Sequence, residues 1–414
     1  MRRVLLAALC LFACAAHAAP LPTGSANVSY TVWTVSDSSV LLKFLLPTAV
    51  AQSLTGAEVP LLTTRRLGDY ILQHVDVEAA GHACPAIDQG YDLGKVDPLA
   101  VGADRYGFEI LFRCAGGTAS GLVLHNHAVF ALSPGHIDFA RIERNGRAVE
   151  QLFTAGQQRL PIGTQLRPAS FGSYVRLGSL HLSFGLDRLC FLLGSLLLVR
   201  GRKEAGYAFA ALIAGYLASL AVAASGWLVP RPALLEAFMG FMVALLAAVI
   251  TLRELKRPRV ALLGCPALLA ALALGTSFTH AHWAALALFG GALFAGSLLK
   301  VSEGARQSWL LPMAVVGFLD GFALPAALAP LNLPMRSQLW MTAGFDAGAA
   351  LLAALVMGVP LGVYALVRKR AARPAGISDL SARARLNPRA WVNELAAAGL
   401  GGLGTFWLVS RLYA

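Results

Sequence analysis

His181, Asp187 and Arg188 stand inside the apolar run SLHLSFGLDRLCFLLGSLLLVRGRK, Ser179 to Lys203. Ionisable groups in hydrocarbon cost about 2.5 to 3.5 kcal/mol each even on lenient insertion scales, so three of them together need a compensating role. Glu236, Asp320 and Asp346 interrupt later apolar runs in the same way. At a rise of about 1.5 Å per residue, Asp187 lies ~15 Å into an inward-running first helix and Asp320 ~16 Å into an outward-running sixth. Both therefore fall near mid-bilayer, while His181, Glu236 and Asp346 fall in the outer half. Acidic and imidazole groups strung from one face to the midplane form the donor set that a cation path requires.

Helix geometry limits that path. His181 and Arg188 are seven residues apart and share a face, but Asp187 is rotated roughly 120° from His181. The three cannot ligate one ion from an unbroken helix, so either Gly185 bends the helix or each group meets partners elsewhere, such as Asp320 or Glu236. The alternative is a purely structural ion pair, Asp187 with Arg188 or with a neighbouring helix.

Composition supplies the setting for these residues. The chain has 414 residues, 57% hydrophobic and 14% charged, with net charge +12 and mean hydropathy +0.63, which is the balance of an integral membrane protein. The start, MRRVLLAALCLFACAAHAAP, has a basic segment, an apolar core and small residues at Ala16 and Ala18. It reads as a signal peptide over 1–19, with an uncleaved anchor as the alternative. Residues 20–170 alternate in the manner of strands, in segments such as VSYTVWTV, YILQHVDVEA and YGFEILFRC. They predict an exported, mainly antiparallel β-sandwich. Residues 171–414 predict a polytopic helical membrane bundle of seven to eight spans, at about 177–199, 206–229, 232–252, 260–276, 282–300, 309–329, 339–366 and 391–410. The fourth is the weakest, being short and containing Pro266. No internal repeat stands out.

The basic residues cluster where spans end, at Arg200, Arg202 and Lys203, at Arg253 to Arg259, and over 368–389. That is a topology signal and argues against nucleic-acid binding. It puts these loops in the cytoplasm, the N-terminal domain in the periplasm and the bundle in the inner membrane. Cys84 and Cys114 are the only cysteines of the exported segment and predict one disulfide, two free thiols being the alternative. His125 with His127, His280 with His282, and His136 with Asp138 have spacings that could serve a metal, but none has a third ligand at a diagnostic distance. There is no phosphate-cradling glycine motif, zinc helix or nucleophile elbow, so no enzyme activity is expected.

The block HLSFGLDRLCFLL resembles the first helix of the HupE/UreJ proteins, membrane accessory proteins of hydrogenase and urease systems regarded as nickel permeases. That family opens with His, five residues and then Asp-His; His181 and Asp187 are kept and Arg188 takes the place of the second His. Further blocks resemble the family in order. LIAGYLASLAVA has Tyr216 at a family His, and RPALLEAFMGFMVALLAAVI keeps Glu236. GFLDGFALPAAL has Asp320 at a His; GFDAGAALLA has Asp346 at an Asn and Ala350 at a Glu; GTFWLVSRLYA keeps Trp407 and Arg411. The resemblance implies a permease whose site is His181, Asp187, Glu236, Asp320 and Asp346, and whose transported substrate is a divalent metal ion. Carboxylate in place of imidazole suits harder ions or protons. The other reading is a membrane scaffold whose exported domain binds a partner without transport.

Overall fold

In the computed structural model, the described residues are 28–412 except 48–49, 52–53, 55–59, 89–104, 119–120, 132, 134–135, 164–166, 227–231, 254–257, 278–281, 305–307, 329–333 and 372–387. The proposed signal peptide, His280 and most of the basic loop over 370–389 lie outside them, as do the side-chain surroundings of His282. The chain divides into two compact units, one built on 20–174 with 327–332 and the other on 175–326 with 333–414.

The first unit is a two-sheet β domain. Its strands are β1 (Val28–Val35), β2 (Ser39–Pro47), β3 (Val75–Ala79), β4 (His82–Ala83), β5 (Ala86–Asp88), β6 (Arg105–Arg113), β7 (Leu122–Asn126), β8 (Ile137–Arg144), β9 (Arg147–Thr154) and β10 (Arg159–Ile162). One sheet has the order β5-β6-β2-β1-β8-β9 and the other β10-β7-β3-β4. The pairing is antiparallel throughout except for β1 with β8, which run parallel from Val28↔Ile137 to Val35↔Arg144. The larger sheet is therefore mixed. Alternation places Trp33, Val40, Leu42, Phe44, Ile110 and Phe153 between the layers, the period-two burial that defines a sandwich core.

One segment read as strand is helix. Pro60–His74 forms α1, so Tyr70–His74 closes a helix before the chain enters β3. The reason is a 3.6-residue period beneath the β-like composition: Leu67 and Ile71, four apart, are both fully buried, and the rings of Tyr70 and His74, also four apart, stack at 4.0 Å.

The second unit is helical: α2 (Phe171–Phe184), α3 (Leu186–Ser195), α4 (Arg202–Ser225), α5 (Pro232–Arg253), α6 (Pro258–Ser277), α7 (His282–Gly304), α8 (Leu310–Gly321), α9 (Ala323–Leu328), α10 (Met335–Ala371) and α11 (Pro388–Leu412). Among the described residues five stretches are long and apolar enough to cross a membrane: Arg202–Ser225, Leu234–Arg253, Leu310–Leu328, Met335–Val363 and Val392–Leu412. Two shorter apolar stretches lie in α6 and α7. The protein is a multi-pass membrane protein. Its central helix is α5, where Val243, Leu245, Leu246, Val249 and Ile250 are all buried. Along its length α5 packs on α11, while α4 packs on α8 and α6 on α7.

The first and sixth expected spans are interrupted. α2 stops at Phe184, Gly185 adopts φ −78° and ψ 86°, and α3 starts at Leu186. α8 stops at Gly321 and α9 restarts after Phe322, with Pro325 in the first turn of the new helix, where its missing N–H costs little. Each break falls within two residues of a buried aspartate, Asp187 or Asp320.

Candidate functional site

The breaks at Gly185 and Phe322 let one arginine lie between two helices. The Arg188 backbone N–H donates to Asp187 Oδ1 at 2.9 Å, and its Nη1 lies 3.3 Å from the same oxygen. Its Nε donates to Asp320 Oδ1 on α8. A Cβ on residue 185 would stand 2.8 Å from Arg188 Cδ and 2.9 Å from Nη1, so the glycine makes room for the folded-back guanidinium.

A second arginine completes the cluster. Arg411, near the end of α11, donates from Nη1 to Asp187 Oδ2 at 2.7 Å and to the Glu236 backbone carbonyl at 2.8 Å. Tyr216 Oη on α4 donates to Asp320 Oδ2 at 2.8 Å. His181 Nε2 stands 3.3 Å from Asp320 Oδ1, and its ring leans on Phe345 with centroids 5.0 Å apart. Both carboxylates are 1% exposed and the two guanidinium side chains 11% and 10%. Two buried anions are thus matched by two buried cations, and every carboxylate oxygen has a partner. Removing one member of such a set leaves an uncompensated charge and costs about 3 to 5 kcal/mol.

The structure brings His181, Asp187 and Asp320 together around Arg188. Glu236 is buried and enters the cluster through its backbone carbonyl. Asp346 is 7% exposed, and among the described residues neither of its oxygens has a hydrogen-bond partner. Among those residues no group of three or more His, Cys, Asp or Glu side chains is disposed to hold a metal ion. Arg411 and Tyr216 are the participants that reading by span and depth leaves out. Arg411 sits in the last turn of the last helix, where a cation reads as a helix-end anchor, and Tyr216 carries no charge to draw notice.

The other titratable groups lie in the β domain. Cys84 and Cys114 are joined by a disulfide, with Cα atoms 4.6 Å apart. His125 Nε2 faces Glu78 at 3.3 Å, Arg159 pairs with the same carboxylate at 3.6 Å, and His127 is held by Gln158 Oε1. Asp138 is fully buried and accepts from Ser29 at 2.8 Å, Thr31 at 2.7 Å and Asn126 at 2.9 Å. His136 Nε2 lies 2.9 Å from Ser29 Oγ. Because Ser29 spends its only proton on Asp138, the imidazole must be the donor there, which fixes the Nε2–H tautomer. Burial pushes the Asp138 carboxyl up to about 6 and holds His136 down at about 3. The serine, histidine and aspartate are sealed in the sandwich at 0–1% exposure, which excludes a substrate.

Residues 157–284 match the family model described as HupE / UreJ protein. The matched segment runs from the end of the β domain through α2 to α6 and into α7, and contains His181, Asp187, Arg188 and Glu236. No curated protein and no solved structure matches the chain. Residues 157–284, which carry the first broken helix and half of the ion-pair centre, are thus similar to the HupE / UreJ proteins.

Proposed function

We propose that the protein is a metal-ion permease of the HupE/UreJ type, set in the inner membrane with its β domain in the periplasm, and that Arg188 is a tethered counter-ion at the translocation site. The observation that carries this reading is the bridging of Asp187 and Asp320, on two interrupted helices, by one guanidinium. Interrupted helices meeting at membrane depth are the usual setting of ion sites in transporters. A divalent cation would compete with Arg188 for the two carboxylates, with His181 beside them as the one imidazole. A site of this composition favours harder cations over nickel.

Uptake of nickel, cobalt, manganese and zinc by cells overproducing the protein tests the reading. Asp187→Asn and Asp320→Asn should each abolish whichever uptake the wild type confers. Reporters fused after Arg202 and after Pro161 should report cytoplasm and periplasm respectively.

A specific observation favours a second reading, a scaffold without transport: all four carboxylate oxygens already have protein partners. It gains the field if no metal accumulates and the two substitutions act only by lowering the amount of folded protein.

A further inference from the structure

Three helix pairs of the membrane unit touch through glycines, and two of them touch in the same way. A Cβ on Gly178 of α2 would stand 1.9 Å from the Phe345 carbonyl oxygen and 3.0 Å from the Ala349 nitrogen of α10. Those residues are three before and one after Gly348. A Cβ on Gly215 of α4 would stand 2.1 Å from the Ala314 oxygen and 2.6 Å from the Phe318 nitrogen of α8, again three before and one after the partner glycine, Gly317. The converse contacts agree. A Cβ on Gly348 would stand 1.8 Å from the Val175 oxygen and one on Gly317 would stand 2.1 Å from the Leu212 oxygen, each three residues before the opposite glycine. The third pair repeats itself: a Cβ on Gly240 of α5 would stand 2.6 Å from the Leu408 nitrogen and one on Gly404 of α11 would stand 2.4 Å from the Ala244 nitrogen, each four residues beyond its partner.

One exchange of helices relates all these contacts. It takes α2–α3 onto α8–α9, α4 onto α10 and α5 onto α11, in chain order. Direction follows from the contacts themselves. Along α4 and α8 they rise together, Gly215 with Gly317, Tyr216 with Asp320 and Ser219 with Gly321, so these helices run parallel. Along α5 and α11 they run oppositely, so these are antiparallel. Counterparts are five crossings apart, an odd number, so each helix runs against its counterpart. Because α6 and α7 are inserted as a pair, they leave that parity unchanged. His181 and Asp320 each stand three residues beyond their glycine, are therefore counterparts, and are 3.3 Å apart. The pseudo-two-fold axis passes between them, through the ion-pair centre, and the first helix of each half breaks just beyond.

We propose that α2–α5 and α8–α11 form an inverted repeat and that the bundle works by alternating access. The four helices joined at Gly178/Gly348 and Gly215/Gly317 rock as one body against α5 and α11. Inverted repeats with interrupted helices at their interface are built for that motion around a fixed central site. Within the four-helix body lie the contacts of Asp320 with His181 and Tyr216, and α3, which continues from α2, brings Arg188 to the same carboxylate. Arg411 to Asp187 crosses between the bodies, while Arg411 to the Glu236 carbonyl stays within the second. Arg411 is thus the latch of the movement. This inference rests on the transport reading for its cargo, but not for its motion.

The test uses full-length protein in lipid nanodiscs with Cys10, Cys14, Cys190 and Cys265 replaced by serine. Spin labels are placed at Tyr207 and Leu395, toward the starts of α4 and α11, and in a second sample at Ser225 and Ser410, toward their ends. α4 and α11 are two of the same-direction crossings, so the pairs report opposite faces. Two distances are expected at each face. Arg411→Lys, which keeps the charge on a shorter reach, should shift their ratio about tenfold, the effect of one contact worth ~1.4 kcal/mol, and in opposite senses at the two faces. Shifts of the same sense, or single distances unmoved by both Arg411→Lys and Asp187→Asn, would overturn the carrier. Reciprocal shifts without uptake of any metal would uphold the carrier and overturn the metal cargo. Uptake without reciprocal shifts would do the reverse.

Discussion

Arg188 on α3 donates to Asp320 on α8 across 132 residues of sequence, and this bond ties together the two interrupted helices of the bundle. It depends on Gly185, which clears the space that the guanidinium occupies, and on Asp187, which holds the same side chain from its own turn.

Arg188→His should therefore act in two directions at once. Without metal it leaves Asp187 and Asp320 short of one positive charge, and thermal unfolding in detergent should show a loss of about 3 to 5 kcal/mol. With millimolar nickel the loss should shrink, because an ion that binds only the folded state stabilises it by mass action. An equal loss with and without nickel would mean that residue 188 is not at a cation site.

The glycine contacts predict a sharp contrast among conservative substitutions. Gly178→Ala, Gly348→Ala, Gly215→Ala and Gly317→Ala each place a methyl group within 2.1 Å of a backbone oxygen. Each should cost at least the 1 to 3 kcal/mol typical of overpacking. Gly206→Ala and Gly290→Ala, which meet nothing within 4 Å, should be neutral or mildly favourable. Folded yield by size-exclusion chromatography separates the two groups.

The Cys84–Cys114 bridge closes a separation of 30 residues, for which loop entropy gives roughly 3 to 4 kcal/mol. Replacing both by serine should lower the stability of the β domain by that order. Peptide mapping of non-reduced protein should recover the two cysteines linked; finding both alkylated as free thiols would refute the bridge.

The buried pair in the β domain sets a pH profile. The folded Asp138 carboxyl titrates near 6, above its unfolded value of 3.8, so its contribution is fully present below pH 3.8 and lost as pH rises through 6. His136 is held at about 3 against an unfolded 6.5, so its contribution is present above pH 6.5 and lost as pH falls toward 3. Between about pH 4 and 6 the two slopes oppose and cancel. His136→Gln should unmask Asp138, giving a stability that falls by up to about 3 kcal/mol from pH 4 to pH 7. Denaturant unfolding followed by Trp33 fluorescence measures it, and a flat profile in the variant would contradict the assignment.

Composition and periodicity by themselves determined a β domain followed by an apolar helical bundle, because alternation in strands and long apolar runs are local properties of the chain. The ionisable residues within those runs were equally legible, since a charge in an apolar segment is conspicuous wherever it falls. Helix Pro60–His74 was missed at its C-terminal end because Tyr, Ile, Leu and Val satisfy a strand pattern until the burial of Leu67 and Ile71 reveals the longer period. The parallel pairing of β1 with β8 joins residues over a hundred positions apart, and no local signal specifies it. Only the tertiary structure decided what the buried charges do. Depth along separate helices left Asp187 and Asp320 open to two readings, cation ligands or members of ion pairs, whereas the fold brings Arg188 onto both of them and Arg411 onto Asp187. The inverted relation of the two halves was equally hidden. It survives as six glycine positions and the step of three residues to His181 and Asp320, a likeness of contacts and not of sequence.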